Sequence, residues 1–234
     1  MVEQIEKPVG VLLFEQAGER MIGDPGLPGS FPFPVRFGLV PGSYRNLIKG
    51  SPEACAHLCQ TARRLAEEGA AAIVGDCGLM ALYQKELAEA AGVPVVSSSL
   101  VLLPLLCQMV SSSSRIGILT GHSQLLSYSH LIAAGAGCLD GLLIQGMEDE
   151  PHFRQVVIEG HGHHDYQLMK NDVLHAVEKL LSRGEPIGAL LLECSNLATY
   201  AWEISNTFGL PVFDIGTAVH LLHQGAVKTN YSPR

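Results

Sequence analysis

The sequence predicts an α/β protein of two pseudo-symmetric lobes. Each lobe is a short parallel sheet flanked by helices, and the functional site lies in the cleft between them. Three observations lead there. Short apolar runs alternate with longer stretches of helical spacing along the chain, the pattern of parallel strands joined by crossover helices. One strand–helix–strand unit occurs twice. The composition, 234 residues with 47% hydrophobic and 16% charged, is that of a chain with a sizeable core and excludes a disordered one.

The elements follow in order. Apolar runs at Val9–Phe14, Ala71–Val74, Val93–Val96, Arg115–Leu119, Ala189–Leu192 and Leu210–Phe213 read as buried strands. Pro52–Glu68 reads as a helix: Ser51 and Pro52 mark its start, and Ala54, Leu58, Ala62 and Leu65 share one face. Leu168–Ser182 reads as another, with Asp165 placed to cap it and Arg183-Gly184 closing it. The segment Gly23–Ser43 is rich in glycine and proline and cannot be helical. It follows the first strand, so it starts at the edge of the sheet where ligands bind. The reading is either a loop over substrate or a surface excursion with its aromatics packed down.

The repeat sets Ile73–Val96 against Leu190–Phe213 without a gap. Asp76-Cys77 matches Glu193-Cys194, Tyr83 matches Tyr200, and Gly92-Val93-Pro94-Val95 matches Gly209-Leu210-Pro211-Val212. The strand at Pro8–Leu12 likewise matches Arg115–Leu119. The expected division is residues 1–114 and 115–234, with the last helix free to cross back to the first lobe. One cysteine thus ends a strand in each half, just before a helix whose N-terminus would favour a thiolate. Two thiols meeting at one cleft suit removal of a proton from carbon on one face and its return on the other. Cys77 and Cys194 are therefore the candidate acid and base.

Other groups carry weaker signals. Ser97, Ser98 and Thr120 end strands, where hydroxyls and backbone N–H groups bind a carboxylate. Asp76 and Glu193 precede the cysteines, and strand alternation predicts that they turn away from the cysteines' ligand. Cys55, Cys59, Cys107 and Cys138 read as core thiols, and Ser111–Ser114 as a plain turn. His161, His163, His164 and Asp165 form a metal-like cluster that reads as solvent-exposed. Arg36 is the one cation of the glycine- and proline-rich segment. It is assigned equally to an anionic substrate or to the surface.

Composition also excludes function classes. The formal net charge is −8, without the clustered Lys and Arg that phosphate contacts need, so no nucleic acid partner is expected. The longest strongly apolar run, Leu100–Cys107, contains Pro104 and falls well short of the roughly 20 residues of a spanning helix. No membrane partner is expected, and the polar N-terminus offers no secretory leader. The expectation is a cytoplasmic protein with reduced thiols. The phosphate-loop, dinucleotide-binding and GxSxG nucleophile motifs are all missing.

The strand–Cys–helix units at Ile73–Leu79 and Leu190–Leu197 resemble the aspartate/glutamate/hydantoin racemase superfamily. So do the following GVPVVSSS and GLPVFDIG strands, and RIGILTGHS opening the second lobe. The resemblance spans nearly the whole chain. It implies catalysis without cofactor or metal, with Cys77 and Cys194 as paired bases at the carbon beside a carboxylate. It further implies that Gly78, Ser195 and Asn196 cradle that carboxylate, and that the chain forms a homodimer or larger homo-oligomer. Glutamate racemases carry Cys-Asn-Thr and Cys-Thr-His at these points, where this chain has Cys77-Gly78-Leu79 and Cys194-Ser195-Asn196. The chain resembles a racemase-like branch, and also the algal type of dimethylsulfoniopropionate lyase within the same superfamily. The expected function is a racemase-type isomerase acting on an amino acid or related small carboxylate. The alternatives are a lyase that eliminates a β-leaving group after the same proton abstraction, and a non-catalytic carboxylate-binding protein.

Overall fold

A computed structural model describes residues 7–14, 19–42, 44–137 and 139–228. Among the described residues, eight strands form two four-stranded parallel sheets. The first holds β1 (Val9–Phe14), β2 (Val35–Val40), β3 (Ala72–Gly75) and β4 (Val95–Val96) in the order β2-β1-β3-β4. The second holds β5 (Arg115–Thr120), β6 (Leu142–Gly146), β7 (Ile187–Leu192) and β8 (Val212–Phe213) in the order β6-β5-β7-β8. The two orders are the same, as the repeat requires.

The helices among the described residues are α1 (Tyr44–Ile48), α2 (Pro52–Glu67), α3 (Gln84–Ala91), α4 (Leu103–Met109), α5 (Tyr128–Ala133), α6 (Pro151–Phe153), α7 (Tyr166–Leu181), α8 (Ala201–Phe208) and α9 (Ile215–Ala226). Their ends follow local chemistry. The Ser51 side chain accepts from Ala54 N–H at 3.1 Å to cap α2, and Asp165 accepts from Leu168 N–H at 2.9 Å to cap α7. Gly92 and Gly209 close α3 and α8 with φ of 66° each, a left-handed turn open to glycine at little steric cost. None of the described helices is long and apolar enough to cross a membrane.

Each sheet has an outer and an inner face. On the first, Leu12 and Ile73 face outward onto Leu58, Leu65 and Leu87 of α2 and α3. On the second, Leu119 and Leu190 meet Val173, Val177, Leu180 and Ile204 of α7 and α8. The inner faces share one core. Val9, Val11 and Val74 pack with Ile116, Ile118 and Leu191, and with Leu103 and Leu106 of α4 and Ile215, Ala218 and Val219 of α9. Helix α9 lies back against β1 and β3 of the first sheet. Gly10 and Gly117 are related by the repeat and let the outer helices approach. A Cβ on Gly117 would stand 2.6 Å from Leu180 Cδ2, and one on Gly10 would stand 3.2 Å from Leu65 Cδ1.

The glycine- and proline-rich segment contains a feature its composition conceals. Its second half, Val35–Val40, is the parallel edge strand β2, in register with β1 from Val9↔Val35 to Phe14↔Val40. Prolines at its start and end are tolerated because the strand lies at an edge. The first half of the segment packs on the second half of the chain. Phe31 stacks on Phe33, Phe33 stacks on His223 with ring centroids 3.7 Å apart, and His220 stands edge-on to both phenyl rings.

Cys107 differs from its expected role as a reduced core thiol: it is disulfide-bonded. Cys138 lies outside the described residues. Cys55 and Cys59 are free and pack against the first sheet's outer core.

Ser99 stitches the sheets together. Its hydroxyl donates to the Leu192 carbonyl at 2.8 Å in a fully buried setting. Ser99→Ala removes that donor from a buried acceptor. It is expected to lower unfolding stability by about 1–3 kcal/mol in a urea titration, with the loss in midpoint and not in slope.

Candidate active site

A cavity of about 470 Å³ opens at the carboxyl ends of the central strands, between the two sheets. This is where open parallel sheets place their ligands. The first lobe supplies Phe14 at the end of β1, and Asp76, Cys77, Gly78 and Leu79 after β3. The second supplies Thr120, Gly121 and His122 at and after the end of β5, and Glu193, Cys194, Ser195 and Asn196 after β7. The segment from Phe153 to Gly160 closes one side.

Both cysteines thus line one cavity, together with Gly78, Thr120, Ser195 and Asn196. Ser97 and Ser98 are not among the lining residues. Both are fully buried. The backbone N–H of Ser97 is tied to the Gln84 side chain at 2.9 Å, and the Ser98 hydroxyl accepts from Leu100 N–H at 3.1 Å. The reason is topological: β4 is an edge strand, and the cavity forms over the sheet centres.

Asp76 and Glu193 also depart from expectation, because both line the cavity. Strands β3 and β7 end at Gly75 and Leu192, so the alternation that separates neighbouring strand residues no longer applies at these acids. The repeat places them alike but gives them different partners. Glu193 is fully buried and accepts from Thr120 Oγ1 at 2.6 Å. Burial pushes its carboxyl upward, against the hydrogen bonds from Thr120 and the Gly121 backbone. Asp76 instead accepts from Arg20 Nη2 at 2.9 Å. Burial still dominates over that ion pair and pushes Asp76 up to about 7.

Glu193 also fixes the fit between lobes. A Cβ on Gly78 would stand 1.9 Å from Glu193 Oε1 and 2.5 Å from the Glu193 carbonyl oxygen. Only a residue without a side chain lets the turn after Cys77 meet the turn before Cys194. Gly78→Ala is expected to cost about 1–3 kcal/mol or more, read as a lowered urea midpoint.

Cys194 is half-buried, and its thiol is pushed up to about 12, first by desolvation and then by the neighbouring Glu193. Asn196 Nδ2 donates to its sulfur at 3.6 Å and opposes the shift only in part. The expected helix-terminus stabilisation of a thiolate is overridden at this cysteine. Each cysteine opens a six-residue 3-10 segment, Gly78–Tyr83 or Ser195–Tyr200, so the α-helix itself begins two turns beyond the sulfur. Alkylation of Cys194 by iodoacetamide, followed by peptide mass spectrometry, should therefore stay slow up to about pH 9 and accelerate only at higher pH.

Arg20 is a residue that sequence patterns did not single out. Its guanidinium bridges Asp76 and Asp24, the latter at 2.7 Å, and so anchors the start of the glycine- and proline-rich segment behind the cavity wall. Its pairing spans 56 positions, and no local pattern announces it. Arg36, the cation that does stand out, is exposed and bonds the Glu68 carbonyl at 2.6 Å. The remaining candidates have structural partners. His164 Nε2 lies 2.7 Å from the Tyr200 hydroxyl, and Tyr83 donates to the Leu47 carbonyl at 3.3 Å. Among the described residues, no three His, Cys, Asp or Glu side chains converge as a metal set.

No family model matches the chain. Among curated proteins it is similar to a dimethylsulfoniopropionate lyase of Durusdinium sp. clade D. The two are 28% identical over 227 residues, covering 94% of this chain and 75% of the lyase. It is 27% identical over 219 residues to dimethylsulfoniopropionate lyase 3 of Emiliania huxleyi, covering 88% of this chain and 56% of that protein. The chain therefore spans little more than half the length of the Emiliania relative.

Among solved structures, the allantoin racemase of Klebsiella pneumoniae superposes with a TM-score of 0.59 at 16% identity, covering 93% of this chain and 86% of that one. An arylmalonate decarboxylase superposes with a TM-score of 0.56 at 17% identity, covering 95% and 94%. An aspartate racemase homologue from Pyrococcus horikoshii gives 0.54 at 17%, covering 95% and 100%. These chains share the two-sheet fold described above. Both resemblances read from the sequence, to the racemase superfamily and to its lyase members, are matched.

Proposed function

We propose that this protein is a cofactor-independent enzyme that moves a proton at the carbon beside a carboxylate, with Cys77 and Cys194 as its acid and base. The observation that carries this reading is the convergence of two repeat-related cysteines, one from each sheet, on a single cavity. The substrate carboxylate is held by the backbone and side chains of Gly78, Ser195 and Asn196, with Thr120 beside them. In the forward direction Cys77 accepts the proton from carbon, and the electron pair spreads into the carboxylate. Cys194, kept as a thiol by desolvation and by Glu193, donates a proton to the other face. The product is the opposite enantiomer, and the pair ends with its protonation exchanged.

A second reading is supported by the curated relatives, which are named as lyases of dimethylsulfoniopropionate. There the same abstraction is followed by cleavage of the carbon–sulfur bond at the β-carbon. The electron pair from the C–H bond forms the new double bond, and the pair of the C–S bond leaves with neutral dimethyl sulfide. One cysteine base suffices for that outcome, so the two readings assign the second cysteine different importance.

Proton NMR in D2O under reducing conditions tests both. The panel is aspartate, glutamate, hydantoins, maleate, arylmalonates and dimethylsulfoniopropionate. Loss of an α-proton signal with the carbon skeleton intact supports the first reading, and new olefinic signals from the sulfonium substrate support the second. Under the first, Cys77→Ala and Cys194→Ala should each reduce turnover by about 10²–10⁴-fold or more. Under the second, Cys194→Ala should retain measurable elimination while Cys77→Ala does not. Silence across the panel would favour a carboxylate-binding protein without turnover.

A further inference from the structure

The repeat carries a second matched pair that the proposed chemistry does not use, Tyr83 and Tyr200. Each closes the 3-10 segment that begins after a site cysteine. Each hydroxyl is bonded to a stretch of chain that walls the cavity. Tyr83 donates to the Leu47 carbonyl at 3.3 Å, and the next residue, Ile48, lines the cavity. The Tyr200 hydroxyl lies 2.7 Å from His164 Nε2. In the stretch leading up to His164, the residues Val157, Ile158, Glu159 and Gly160 line the cavity.

The two walls are held differently. Leu47 is fully buried, so the first wall keeps its place by packing. The second leaves α6 through a π-helical turn, Arg154–Ile158, a wide turn that is rare in helices and frequent at functional sites. Its base is fixed: Phe153 is fully buried, and its N–H donates to Asp172 of α7 at 2.8 Å. Residues 158–163 are then exposed throughout. Their backbone bonds return to their own turn, Glu159 N–H to the Arg154 carbonyl and His161 N–H to the Gln155 carbonyl, each at 2.9 Å. Gly160 and Gly162 take φ of 69° and 84°. At the far end stands the His164–Tyr200 bond, and the next residue, Asp165, already caps α7. An exposed stretch with few buried apolar contacts opens locally at low cost.

We propose that residues 158–163 form a flap over the cavity, latched shut by the hydrogen bond between His164 and Tyr200, and that its opening sets how large a molecule reaches Cys77 and Cys194. The latch lands on the segment that carries Ser195 and Asn196 into the cavity. Flap closure and the placing of those groups are therefore coupled, as in other sites completed by a closing loop.

Peptide-level hydrogen exchange and thiol alkylation test this. Neither needs turnover, so the outcome is separate from that of the reading proposed above. Tyr200→Phe keeps the ring and removes the hydroxyl. It is expected to speed exchange of the amides of residues 158–163 by about three- to tenfold, the weight of one hydrogen bond, with the amides of β7 unchanged. Alkylation of Cys77 and Cys194 is followed by mass spectrometry with iodoacetamide and with a bulky fluorescein iodoacetamide. The ratio of bulky to small rates cancels changes in thiolate fraction and reports access. In wild type that ratio should lie below the ratio for free cysteine. Tyr200→Phe and His164→Ala should each raise it by the same three- to tenfold. Tyr83→Phe, at the packed wall, should leave exchange of the flap at its wild-type rate.

An unchanged ratio in both latch variants overturns the proposal, as does a wild-type ratio equal to that of free cysteine. Faster exchange with an unchanged ratio means that the bond holds the segment but the segment gates nothing, and overturns it too. If Tyr200→Phe fails to fold, His164→Ala, at a partly exposed side chain, decides alone.

Discussion

The site depends on the contact between Gly78 and Glu193. The turn after the first cysteine and the turn before the second approach until no Cβ fits between them. That approach brings two cysteines from different sheets to one cavity. It also dehydrates Glu193, which keeps its proton more readily for that reason, and its nearness raises the Cys194 thiol in turn. Packing, electrostatics and the proposed chemistry are thus set by the same few atoms. Ser99 reinforces the contact from behind by holding the end of β7 through the Leu192 carbonyl.

The repeat is exact in topology and broken in chemistry. Both sheets have one strand order, and both cysteines follow the third strand of their sheet. The acids beside them differ in their surroundings. Asp76 faces an arginine, whereas Glu193 faces a threonine hydroxyl and a backbone N–H. A symmetric scaffold with unequal ends can bind a substrate in one orientation.

Much of this was legible in the sequence, and the limits have physical causes. Apolar runs and the gapless repeat revealed the central strands, because buried parallel strands are continuously hydrophobic. They also located Cys77 and Cys194, since strand ends recur with the repeat. Strand β2 was hidden in a glycine- and proline-rich stretch because an edge strand tolerates both. Ser97 and Ser98 stand outside the cavity lining because they follow an edge strand, a placement that strand patterning alone does not reveal. Asp76 and Glu193 misled because side-chain alternation stops where the strand stops. The Arg20–Asp76 ion pair was invisible because two charges far apart in sequence leave no periodic trace.

The packing of α9 carries one more consequence. Val9, Val11 and Val74 of the first sheet are covered in part by Ile215, Ala218 and Val219 near the far end of the chain, while Phe31 and Phe33 of the first half rest on His220 and His223 of that same helix. Neither half owns its whole core. A fragment ending before β5 would bare these apolar surfaces to water, so each half is expected to depend on the other for its core although the sequence reads as two.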